Sequence, residues 1–238
     1  MGPDAVPEGA RIRLVPAFPS PNAGPRRDGA TPSLIVIHYT AMPTCAEAEA
    51  RLCDPAAEVS AHWLLSEAGN ALPLVDEAMR AWHAGAGEWG GITDVNSASI
   101  GIELANTGDA PFPEAQMAAL ERLLADVMTR HGIPPHGVIG HSDMAPQRKR
   151  DPGPRFDWRR LALAGLSVWP EPGDGDADFT ASARAFGYPD VPPDALLAAF
   201  RLRFRPWAAG PLELADRAAA AALARDYPVN AAQTSADR

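Results

Sequence analysis

The sequence predicts an α/β fold: a mixed central β-sheet flanked by helices, followed by a small three-helix C-terminal domain. Three observations predict it. Short apolar runs rich in β-branched residues recur at 34–40 (LIVIHYT), 99–106 (SIGIELAN) and 137–141 (GVIGH), as buried strands do. Between the last two, Met117, Leu120, Leu123, Leu124, Val127 and Met128 form one helical stripe that Gly132 stops. Beyond the polar Pro/Gly segment EPGDGDAD (171–178), only helical patterns remain.

The elements follow in chain order. Residues 1–28 are rich in Pro, Gly and Arg without periodicity, which predicts an extended arm that wraps or hangs loose. A domain-sized unit then runs over 29–170. In it, 44–54 reads as a helix, and AHWLLSE (61–67) and ALPLVD (71–76) flank a hairpin turn at Ala68-Gly69-Asn70. After the linker, DFTASARAFGY, PPDALLAAFRLRF and ELADRAAAAALARDY give three amphipathic segments over 179–228, the second opened by Pro192-Pro193. Phe186, Phe200, Phe204 and Trp207 are the expected core of that unit. Residues 229–238 read as a frayed tail.

Bulk composition excludes several functions. With 21 basic and 30 acidic residues the formal charge is −9, so nothing draws this chain to nucleic acid or to an anionic membrane surface. No apolar run reaches the roughly 18 residues that a bilayer span needs. The start, MGPDAVPEGARIRLVP, has neither the positive beginning nor the apolar centre of a signal peptide, and no cysteine lies near it. Cys45 and Cys53 fall on one helix about 12 Å apart, too far for a disulfide. These features predict a cytoplasmic protein with two reduced thiols. A periplasmic or outer-membrane-attached protein is the alternative if the N-terminus was trimmed.

The chemistry concentrates in a few side chains. His38 lies in a buried strand, His141 ends another, and Asp151 follows ten residues later in a loop that can double back. Two neutral imidazoles and one carboxylate are a common catalytic zinc set that leaves a fourth position for water. Spacing alone leaves open a core histidine, a loop histidine and a turn-capping aspartate. In SIGIEL, alternation puts Ile100, Ile102 and Leu104 on one face and Gly101 and Glu103 on the other, so Glu103 faces a cleft. His62, among apolar neighbours, reads as structural or cleft-lining, and His131 and His136 read as surface residues.

The segments LIVIHYTA, VSAHWLLSEAG, AWHAGAG, NSASIGIELAN and GHSDMAPQRKRDPGPRFDW, in this order, resemble the type-2 N-acetylmuramoyl-L-alanine amidases, a group related to peptidoglycan-recognition proteins. The C-terminal AFGYPDVPPDALLAAFRLRFRPW resembles the helical peptidoglycan-binding-like unit of the two-domain AmiD-like branch. The resemblance implies hydrolysis of the amide between N-acetylmuramic acid, or its 1,6-anhydro form, and L-Ala of the stem peptide. It implies Zn2+ on His38, His141 and Asp151, with Glu103 and Lys149 as catalytic residues. It also implies that Tyr39, Trp82, His83 and Asn96 line the muropeptide cleft. With no export signal, recycling of soluble fragments is the expected setting. Degradation of intact wall by an exported enzyme, or muropeptide binding without cleavage, are the alternatives. Glu103 near a metal can move a proton from water to the leaving amine. Lys149 can face the oxyanion.

Overall fold

The computed structural model describes residues 13–15, 19–171 and 175–229. Eight strands, β1 (Arg13–Leu14), β2 (Ala23–Pro25), β3 (Leu34–Tyr39), β4 (Trp63–Leu65), β5 (Asn70–Pro73), β6 (Met79–Ala81), β7 (Ser99–Leu104) and β8 (Val138–Gly140), form two sheets. The main sheet runs β1-β5-β4-β7-β3-β8, and β2 pairs β6 in a two-stranded ribbon. β4 and β5 form the expected antiparallel hairpin, while β4, β7, β3 and β8 run parallel to one another. The mixed sheet read from the sequence is therefore present.

The described part of the N-terminal arm wraps the sheet. β1 extends it, and β2 carries Arg26 into the fold. The Arg26 guanidinium donates to the carbonyls of Ser97 (2.6 Å), Ser99 (3.1 Å) and Glu77 (2.9 Å), which pins the ribbon to the start of β7. Two- and three-residue strands carry no readable period, so sequence patterning passed over β1, β2 and β6.

Helices cover both faces. α1 (Cys45–Cys53) and α2 (Val95–Ala98) come first, with Thr44 capping α1 by accepting from the Glu47 amide. α3 (Glu114–His131) buries Met117, Leu120, Leu123, Leu124 and Val127 against Ile35, Ile37, Ile100, Ile102 and Leu104. Gly132 ends it in the left-handed conformation. α4 (His141–Met144) follows β8 directly, and α5 (Trp158–Leu163) packs with α3.

α6 (Phe179–Phe186), α7 (Pro193–Phe204) and α8 (Leu214–Asp226) are the three C-terminal helices. Most of their buried apolar residues belong to one continuous cluster with Leu34, Val36 and Ile139 of the sheet and with Trp89 and Met144. The polar segment 171–178 therefore separates elements in sequence but not in packing. Phe186, Phe200 and Phe204 are buried as expected, whereas Trp207 is 71% exposed and is not a core residue. α7 stops at Phe204 because Pro206 disfavours helix at Arg205, and the helical period ends there.

His131 and His136 are half-buried rather than surface groups. The His131 imidazole meets Glu77 at 2.7 Å, and Glu77 also accepts from Trp63 Nε1 and Arg130 Nη2, each at 2.7 Å. Burial raises the Glu77 pKa, but these donors outweigh it and hold the carboxyl at about 2. A depressed carboxylate stabilises the fold above its ordinary value of 4.5 and loses that contribution as pH falls toward about 2. Glu77→Gln should therefore unfold at lower urea than the parent at pH 6. The gap should close steadily as the pH is lowered below 4.5. A gap independent of pH would disprove the assignment.

Candidate metal centre and cleft

Three neighbouring parallel strands deliver the chemistry at their carboxyl ends, where open α/β sheets characteristically bind ligands. His38 is the penultimate residue of β3, Glu103 the penultimate residue of β7, and His141 directly follows β8. His38 and Glu103 are register partners across the β3–β7 pair. Leu34, Val36 and His38 share one face of β3, and Ser99, Gly101 and Glu103 the matching face of β7. The loop after α4 then turns back so that the Asp151 carbonyl accepts from the Ser142 amide at 2.9 Å.

This folding brings the three expected donors together. His38 Nδ1 lies 2.9 Å from both His141 Nδ1 and Asp151 Oδ2, and His141 Nδ1 lies 3.0 Å from Asp151 Oδ2. All three residues are buried. Tetrahedral coordination with bonds of about 2.0–2.1 Å places donors about 3.3 Å apart. The observed triangle is within a few tenths of an ångström of that.

The protonation pattern favours a cation here. His141 Nε2 faces the Ala84 carbonyl at 2.9 Å, and a carbonyl only accepts, so Nε2 carries the proton. The Nδ1 that this tautomer leaves bare faces the Asp151 carboxylate. Burial, followed by the neighbouring His141, lowers the His38 pKa to about 4, so His38 is neutral. Burial opposes ionisation of Asp151, but its place beside the two imidazoles holds it far below the usual carboxylate range. Lone pairs from three atoms therefore converge where a divalent metal would satisfy them all.

The donors floor a cleft of about 510 Å³. Tyr39, Trp82, Glu103 and Lys149 line it, in keeping with the sequence reading, and Met42, Arg51, Arg148 and Arg150 add to its walls. Those four were not singled out, because nothing in an apolar loop residue, a helical arginine or a run of bases marks a cleft. Glu103 Oε2 is buried without a hydrogen-bond partner among the described residues. Desolvation and the charge of Asp151 push this carboxyl up to about 8, with Lys149 pulling the other way.

Two further residues of the sequence reading are deeply set: His83 borders the cleft, whereas Asn96 does not line it. His83 is buried behind His38, with His83 Nδ1 3.0 Å from His38 Nε2 and its other nitrogen 3.2 Å from Ser99 Oγ. Asn96 is buried below it, and Asn96 Oδ1 accepts from the amides of His83 (3.0 Å) and Ala84 (2.8 Å). Both ring nitrogens of His83 and the Asn96 side-chain oxygen thus have partners inside the protein. His62 is structural: its Nδ1 accepts from the Gly101 amide at 2.9 Å and its Nε2 lies 3.1 Å from the Met79 carbonyl.

Chemically, this is a donor set that could hold a divalent metal at the carboxyl ends of the parallel strands. The chain belongs to the N-acetylmuramoyl-L-alanine amidase family Amidase_2, whose model matches residues 28–154. It is 38% identical to the N-acetylmuramoyl-L-alanine amidase AmiD of Escherichia coli over 211 residues, 73% of this chain and 75% of that protein. It is 35% identical to the 1,6-anhydro-N-acetylmuramyl-L-alanine amidase AmpD of Citrobacter freundii over 160 residues, 60% of this chain and 86% of that protein. The solved complex of E. coli AmiD with anhydro-N-acetylmuramic acid-L-Ala-D-γ-Glu-L-Lys superposes with a TM-score of 0.75 at 35% identity. That match covers 84% of this chain and 92% of AmiD, so it extends into the C-terminal helices. Pseudomonas aeruginosa AmpDh3 in complex with anhydromuramic pentapeptide matches equally well, with a TM-score of 0.75 at 31% identity over 85% of this chain and 94% of that one.

Proposed function

We propose that this protein is a zinc-dependent amidase that hydrolyses the bond between 1,6-anhydro-N-acetylmuramic acid and L-Ala in soluble muropeptides. The observation that carries the reading is the convergence of His38 Nδ1, His141 Nδ1 and Asp151 Oδ2 at the floor of a cleft that Glu103 and Lys149 also line. The substrate class is supported by the anhydromuramyl peptides bound to AmiD and AmpDh3.

When bound, zinc supplies the acidity that makes water nucleophilic near neutral pH. The residues of this chain do the rest. Glu103, ionised, accepts a proton from the attacking water and delivers it to the leaving amine nitrogen of L-Ala. Its raised pKa suits it to give the proton back. The Lys149 ammonium faces the oxygen of the attacked amide and offsets its developing charge. Tyr39 and Trp82 supply apolar walls that hold the sugar and the peptide.

The complete set of ligands and proton-handling residues favours catalysis over binding without cleavage. A recycling role in the cytoplasm fits two cysteines, Cys45 and Cys53, that form no disulfide, and a soluble anhydromuropeptide substrate. The test is release of peptide from anhydromuramyl tripeptide, alongside zinc content by elemental analysis. We expect about one zinc per chain and faster hydrolysis of the soluble fragment than of intact sacculi. Asp151→Ala should lose both metal and activity. A wild-type protein without zinc or released peptide would refute the amidase reading, and equal or better rates on sacculi would refute the recycling role.

A further inference from the structure

We infer that His83 is a positioning residue for the metal centre: a relay through His83 and Ser99 sets which nitrogen of His38 is offered to the metal. The inference rests on the zinc reading above. It starts from a backbone carbonyl that no tautomer can alter. The Val95 carbonyl accepts the single hydroxyl proton of Ser99. Ser99 Oγ, 3.2 Å from His83 Nε2, can then only accept, so His83 Nε2 carries a proton. Neutral His83 is left with a bare Nδ1, and that atom accepts from His38 Nε2 across 3.0 Å. His38 Nε2 is thereby fixed as N–H, and His38 Nδ1, the atom in the donor triangle, is bare.

The second histidine is set by the next residue. The Ala84 carbonyl holds the His141 Nε2 proton directly, so His141 Nδ1 is also bare. One dipeptide, His83-Ala84, therefore prepares both imidazoles. Asn96 Oδ1 fixes that dipeptide by accepting both of its amides, and Arg148 braces the same loop by donating to the Ala84 carbonyl at 2.9 Å. Partners of this kind orient metal-ligating histidines and raise their basicity.

The sequence makes room for this arrangement at Gly101. A Cβ there would stand 2.4 Å from the His83 ring, well inside contact distance, so any side chain at 101 displaces the imidazole. Glycine at this point of an otherwise apolar strand is explained by the close approach of His83.

The test is zinc affinity, read by competition with a chromogenic chelator on folded protein, with thermal unfolding followed by circular dichroism as the folding control. His83→Leu fills the space without an acceptor and should bind zinc about 10–100-fold more weakly. His83→Asn places Oδ1 near the position of Nδ1 and should regain most of the lost affinity. Gly101→Ala touches no donor yet should weaken zinc binding as His83→Leu does. Wild-type affinity in His83→Leu overturns the inference, as does His83→Asn binding no better than His83→Leu. A wild-type chain that takes up no zinc overturns the zinc reading and this inference with it.

Discussion

Glu103→Gln should retain about one zinc per chain and lose two to four orders of magnitude in kcat/KM, the span that a positioned general acid–base supplies. The amide keeps the shape and removes the proton acceptor. The donor triangle should survive, because Glu103 sits on the strand next to His38 and is not a member of it. A second readout separates the carboxylate from its mere bulk. Burial and Asp151 raise the Glu103 pKa to about 8 in the metal-free protein. A raised carboxyl favours the fold at low pH, and that advantage is lost as pH climbs from its ordinary 4.5 through about 8. Metal-free Glu103→Gln should therefore match the parent near pH 4.5 and become the more heat-stable of the two near pH 8. Retention of wild-type rate, or a thermal difference that ignores pH, would show that Glu103 is not the proton carrier.

Arg203→Met should be the most destabilising single change outside the cleft. Arg203 and Asp143 are each 1% exposed in their side chains and meet at 2.7 Å. Arg203 also donates to the Val138 carbonyl at 2.9 Å, and its guanidinium lies 4.4 Å from the Trp158 ring centre. Asp143 further accepts from Tyr188 Oη at 2.7 Å and the Gly140 amide at 2.8 Å. Removing one member of such a pair strands a buried charge and costs about 3–5 kcal/mol. The loss falls on α4, which begins with His141. The double variant Arg203→Met, Asp143→Asn should recover part of the stability, since it buries no charge. Urea unfolding of the three proteins decides the matter. An Arg203→Met midpoint equal to the parent's would show that the pair contributes nothing.

Much of this molecule was legible because its strongest signals are periodic. β3 and β7 each match their apolar runs to within two residues, and α3 buries the stripe that its spacing marks. The face assignment of Glu103 followed from strict alternation, and the structure keeps it. Four-residue α4 and the short strands β1, β2 and β6 escape any such pattern. Cleft residues fared worse, for a physical reason. The motif around Trp82 and His83 places both near the site, but it does not say which imidazole faces water and which backs a ligand. Gly101 held the missing clue, since a glycine inside an apolar strand signals the close approach of another group. Arg203 was opaque in another way: an arginine between Leu202 and Phe204 reads as solvated, and only the packing of α7 on α4 reveals its burial.

The register of β3 with β7 has a consequence for how this centre can change over time. His38 and Glu103 stand on a rigid wall, one strand spacing apart, whereas Lys149 and Asp151 belong to a loop anchored at its ends. The Asp151 share of the grip on the metal and the placement of the base therefore depend on different parts of the chain. Substitutions in the loop can retune affinity, charge and access while the base stays where the sheet holds it, so selection can adjust the two properties independently.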